Sequence, residues 1–222
     1  MRTIHALWIA LLISVLPNLA AAQTASYSLN STGVSEFGTG PYGSVTLTQS
    51  FSDVVVNVVL RNDLNFLSTG NQNSHSIFTF NVSGATAGDV TDISFANGLS
   101  ATFDVAHPAA DSPFGQFTYG IYCAQNCPSG GSLGGYADPL NFKVTNATIS
   151  EFANLSTSGN PKAYFAADVL RVSAPNAGAT GAVGAISPGV IAAVPEPETY
   201  AMLLAGLGLM GALVRRRKSN PT

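Results

Sequence analysis

From Ala25 to about Val172 the chain runs in short stretches rich in Val, Phe, Thr, Tyr and Ile, broken by Gly, Asn, Pro and Ser. That punctuation predicts strands rather than helices. Ile77 to Val82 alternates cleanly and places Phe78, Phe80 and Val82 on one face, and Gly43 to Gln49 does the same with Val45 and Leu47. Asp53 to Leu60 is nearly continuous in valine, so a strand covered on both faces is expected there. Further strands are expected at 27–30, 90–95, 101–105, 116–123, 140–145 and 164–172. About nine strands at this spacing predict an all-β fold, a single β-sandwich-like domain over residues 23–174. About 150 residues suffice for one core, which buries roughly 70% of the unfolded surface.

The two ends follow other patterns. Met1-Arg2, an apolar run from Ile4 to Leu16, and Ala20-Ala21-Ala22 before Gln23 read as a secretory signal peptide over residues 1–22, cleaved near Ala22. Residues 175–193, rich in Gly and Ala and without periodicity, read as a flexible linker, with one more β-hairpin as the competing reading. Then come Val194-Pro195-Glu196-Pro197-Glu198, an uncharged apolar run from Tyr200 to Val214, and Arg215-Arg216-Arg217-Lys218. The prolines hold the first part extended. Thr199 is placed to cap a helix, and Glu196 and Glu198 lie near its positive end. A helix over 200–214 is roughly 22 Å long, short for a hydrocarbon core of about 30 Å. Snorkelling of the basic cluster, which should face the cytoplasm, makes a transmembrane helix workable.

Charge divides along the same boundaries. Residues 23–194 hold four cations against ten acids, while the tail from residue 195 holds four cations against two. An acidic domain argues against nucleic acid as a partner.

The tail, with Pro195, Glu196 and Pro197, then Leu203 to Gly211 within the apolar run, then Arg215, Arg216, Arg217 and Lys218, resembles the PEP-CTERM sorting signal over residues 194–218. The same short region is also labelled an ice-binding-protein C-terminal domain, but the tail is an address and is not evidence of ice binding. The resemblance implies a bacterial protein recognised by an exosortase-type processing enzyme. Pro195, Glu196 and Pro197 would be the recognition motif and Arg215 to Arg217 the retention cluster. The protein would be anchored first in the cytoplasmic membrane with its β domain outside, then delivered to the cell surface or an extracellular polysaccharide matrix. It implies nothing about the activity of the β domain.

Cys123 and Cys127 are the two cysteines. In an exported protein they are expected to form a disulfide that shapes the turn after a strand, worth about 2 kcal/mol for so small a loop. A zinc site would lack ligands beyond His75 and His107, and the spacing is not that of a thioredoxin-like pair. No Walker or His-Glu-x-x-His motif occurs, and no cofactor is called for. His107 lies near Asp104 and Asp111, and a hydrolase site assembled there is the competing functional reading. Residues 62–65 and 89–92 could offer oxygen ligands to calcium but read as turns. Phe117, Tyr119, Tyr122 and Tyr136 read as core aromatics, with stacking on sugar rings as the alternative. The expectation is a non-enzymatic surface or matrix component of adhesive or polysaccharide-associated character.

Overall fold

A computed structural model of the chain describes residues 22–67, 76–96, 101–127, 135–194 and 205–210. Ala22–Val194 makes one unit. Its strands are β1 (Ala22–Leu29), β2 (Ser31–Thr32), β3 (Gly43–Ser50), β4 (Asp53–Leu60), β5 (Leu64–Leu67), β6 (Phe78–Phe80), β7 (Val90–Phe95), β8 (Thr102–Ala106) and β9 (Ala109–Asp111). They continue as β10 (Gly115–Phe117), β11 (Tyr119–Gln125), β12 (Gly135–Tyr136), β13 (Leu140–Val144), β14 (Thr157–Ser158), β15 (Phe165–Arg171), β16 (Thr180–Ala185) and β17 (Val190–Val194). The expected all-β class is the observed one, and among the described residues of this unit helix is confined to short 3-10 turns.

A first sheet runs β17-β1-β3-β4-β13-β7, and a second runs β12-β5-β15-β6-β11-β8 with β16 joined to β15 and β2 to β16. Every pairing between these strands is antiparallel, so alternate side chains meet across the gap between the sheets. Tyr27 of β1 meets Phe165 of β15 with ring centroids 4.8 Å apart, and Phe142 of β13 meets Phe80 of β6 at 5.1 Å. Phe78, Phe80, Phe142, Phe152 and Phe165 are all essentially buried in this common core. The alternation at Ile77 to Val82 thus places Phe78 and Phe80 where the pattern called for them.

Two expectations need correction. The valine strand β4 is not covered on both faces: Val54, Val56 and Val58 are buried, but Val55 and Val59 are each 39% exposed. Valine serves the outer face through its strand propensity alone. Residues 175–193 are not a linker, because β16 pairs with β15 from Thr180↔Leu170 to Ala185↔Phe165, and β17 pairs with β1. Small residues are required there by close packing. A Cβ on Gly184 would stand 2.7 Å from the Phe114 ring, and one on Gly181 would strike Val34. The competing β reading of this segment is therefore the better one, although its two strands join different sheets. Of the expected helix at 200–214 only 205–210 is described, and there the backbone is helical as expected; the remainder lies outside the described residues. Among the described residues no helix is long and apolar enough to cross a membrane.

A third, three-stranded sheet, β14-β10-β9, packs on the outer face of the second sheet. Phe114 and Phe117 from this layer are buried against Ala166 of β15 and Ala182 of β16. The second sheet is therefore covered on both sides over part of its area.

Candidate functional site

The competing catalytic reading centred on His107, and the structure places that residue at the edge of the third sheet. A cavity of about 320 Å³ is lined by His107, Pro108, Ala109, Ala110 and Gln116. Among the described residues that line it, His107 is the titratable one. The exposed ring stacks on Tyr119 with centroids 5.0 Å apart, and Nδ1 lies 2.7 Å from the Thr118 carbonyl. That carbonyl can only accept, so the proton sits on Nδ1. Asp104 instead accepts from the Tyr122 hydroxyl at 3.3 Å.

Asp111 does not face this cavity. It lies beneath the third sheet, 4% exposed, against the outer face of the second, where Asp168 is 8% exposed. Burial is the larger cause, and the neighbouring Asp168 the second, that holds the Asp111 carboxyl well above the usual range, while the Thr79 hydroxyl relieves part of the effect. Ser76 Oγ and Asp111 Oδ2 are buried without a hydrogen-bond partner. Gly120 leaves the room for Ser76, since a Cβ there would strike Ser76 and the Ala109 side chain. Sequence reading missed Asp168. The alternation of β15, with Phe165, Ala167 and Val169 in the inner core, puts Asp168 on the opposite face, but nothing in the pattern announces that this face is covered.

The other candidates resolve into structural parts. Cys123 and Cys127 form the expected disulfide, with Cα atoms 5.7 Å apart, where β11 slips register against β8 between Cys123 and Gln125. Tyr119, Tyr122, Tyr136 and Phe117 are buried, so they offer no platform to a sugar. Asp63 is bound by Arg61 and stands 3.5 Å from Arg171, and a hydrogen bond from Arg61 holds its carboxyl below the usual range. Asp89 closes a capping box with Thr86. Among the described residues no group of three or more His, Cys, Asp or Glu could hold a metal ion. His75, Pro195, Glu196, Pro197, Arg215, Arg216, Arg217 and Lys218 lie outside the described residues, as does the signal peptide up to residue 21.

What remains is the junction at the end of the domain. β17 is the edge strand of the first sheet and pairs with the opening strand, Ala22 facing Val194 and Ser26 facing Val190. The folded domain runs without a spacer to Val194, and Pro195 follows it directly in the chain. Residues 193–218 match the PEP-CTERM protein-sorting motif. The PEP-CTERM match implies an exported protein with a membrane-anchored C-terminal tail and an exosortase-type processing enzyme as partner. It overlaps the last two residues of β17, so the sorting motif begins inside the folded domain. No curated protein and no solved structure matches this chain.

Proposed function

We propose that this chain is a non-enzymatic component of the bacterial surface or extracellular matrix, delivered by its PEP-CTERM tail and associated there with polysaccharide. The observation that carries the reading is the sorting motif at 193–218, joined directly to a β domain. The signal-peptide pattern at 1–22 supports export from the other end. Against the competing hydrolase reading stand Asp104, which accepts from the Tyr122 hydroxyl, and Asp111, whose carboxyl is buried away from the cavity that His107 lines. General acid and base catalysis needs such groups within reach of one substrate.

Intact-mass spectrometry of the surface fraction tests the delivery. The mature protein is expected to begin near Gln23 and to lack Arg215 to Lys218. Recovery of the basic cluster on the surface form would contradict processing. Co-sedimentation of that surface form with the polysaccharide secreted by the same cells tests the association, and a protein left wholly in the supernatant would sink it.

A further inference from the structure

The turn between β3 and β4 carries a residue that neither folding nor solubility favours. Ser50 pairs with Asp53, leaving Phe51 and Ser52 as a two-residue loop. Phe51 has φ +54, a left-handed conformation at the first central position, where glycine is preferred. Its side chain is 98% exposed, the most of any large apolar residue described. The strain is therefore not offset by any packing of the ring.

The loop is braced. Gln49 Nε2 reaches the carbonyls of Phe51 and Asp53, each at 3.1 Å, and that of Ala147 at 3.0 Å. Gln49 Oε1 accepts from the Ile149 amide at 3.1 Å. The Ala147 amide donates to the Ser52 carbonyl at 2.9 Å, and the Asn146 amide to Asp53 Oδ1 at 3.2 Å. The phenyl ring is thus presented on a fixed platform.

Strand register says where the platform stands. Thr24 of β1 faces Thr48 of β3, so two further residues along each strand bring Ala22 and Ser50 to the same end of the sheet. Ala22 in turn faces Val194. The Phe51 turn, the start of the domain and its end share one end of the first sheet. From the second of those chain ends runs the apolar segment of the sorting tail, residues 200–214.

We propose that Phe51 is a membrane-interface anchor. Its ring enters the boundary between headgroups and acyl chains of the bilayer that holds the tail, and it fixes this end of the domain against the lipid. This rests on the membrane-anchored reading of the tail. One ring adds little to the hold of an apolar helix, so its effect is on orientation rather than retention. Ser50 and Ser52 flank the ring without charge, and the ring is rigid and apolar, which suits a lipid interface.

The test uses the mature chain from Gln23 with its tail, carrying Phe51→Trp. The one tryptophan of the sequence, Trp8, lies in the signal peptide, so all emission then comes from position 51. With phosphatidylcholine vesicles the chain is expected to float, and brominated acyl chains should lower the emission about twofold or more. A floating chain whose emission ignores brominated lipid and is quenched by iodide as in water overturns the anchor while leaving the tail reading intact. A chain that does not float overturns the tail reading and the anchor with it. Shielding that appears only at high protein concentration, or only with added polysaccharide, overturns the anchor in favour of a second copy or a glycan. Hydrogen exchange on the chain with native Phe51 gives a reading independent of the tryptophan. Amides at 51 and 52 should slow about tenfold on vesicles, and this slowing should vanish in Phe51→Gly, which suits the positive φ. Equal slowing in Phe51→Gly would also overturn the proposal.

Discussion

On its inner face the second sheet presents Phe78 and Phe80 to Phe142, and Phe165 to Tyr27, of the first sheet, whereas its outer face presents Thr79, Asp168, Gly120 and Gly184 to the three-stranded cover. Both faces are buried, but by different means. The inner interface is filled by large apolar side chains that interdigitate. The outer one is closed by small residues that let backbones approach, and it encloses polar groups. Stability should therefore depend on volume at the inner face and on protonation at the outer one.

The largest effect is expected from Phe80→Ala. Phe80 is fully buried, with ring neighbours Phe78, Tyr119, Phe142 and Phe152 centred 5.1 to 6.1 Å away. Truncation removes the transfer energy of the ring and leaves a cavity, at a cost of about 3–5 kcal/mol. Urea unfolding would measure it. A loss below about 1 kcal/mol would mean that the two sheets do not share the core that their ring contacts define.

The next effect separates the two interfaces. Asp111 has a folded pKa raised by burial and by Asp168, so its contribution is fully present below the unfolded value of 3.8 and is lost as pH rises through the folded value. Above that range each pH unit up to the folded pKa is worth about 1.4 kcal/mol at most. Asp63 acts in the opposite sense. Its pKa is lowered, first by the Arg61 hydrogen bond, so its contribution is lost only as pH falls below the ordinary carboxylate range. Asp111→Asn should flatten the fall in stability on the neutral side and leave the acid limb in place. An Asn variant with the same slope as the parent in urea titrations from acid to neutral pH would remove the outer face as the site of pH dependence.

These interfaces were unequally legible in the sequence. Period-two alternation located β3 and β6 and put Phe78 and Phe80 in the inner core, because a single buried face leaves that signature, while composition alone located β13 and β15. It could not reveal the cover, since β9, β10 and β14 are two or three residues long and carry too little pattern to register. The Gly and Ala composition of β16 looked like a linker for the same reason that it packs closely against Phe114 and Val34. Composition reports the size of side chains, and a tight interface and a loose segment both ask for small ones. The disulfide was readable from the compartment and from cysteine count. The sorting motif was readable because its three unlike segments are local in sequence, whereas the pairing of Asp111 with Asp168 joins residues far apart along the chain. Phe51 escaped notice because only the backbone conformation of its turn makes a lone phenylalanine unusual.

The smallest effect tests a polar group within the inner core. Tyr136 is fully buried beside Phe95 and Phe103, with ring centroids 4.8 and 5.3 Å away, and its hydroxyl is among the buried groups without a partner. Burial pushes its pKa up to about 12. The unfolded phenol ionises near 10.0, so between these values the folded state is penalised because only the unfolded chain can release the proton readily. Tyr136→Phe removes an unsatisfied hydroxyl and keeps the ring, so its stability near neutral pH should match the parent or exceed it by about 1 kcal/mol. It should also lose less stability than the parent as pH rises above 10.0. A variant destabilised by more than about 1 kcal/mol at neutral pH would show that the hydroxyl has a partner in solution. The inner interface would then hold a polar contact of its own, and the contrast between the two faces of the sheet would narrow to one of degree.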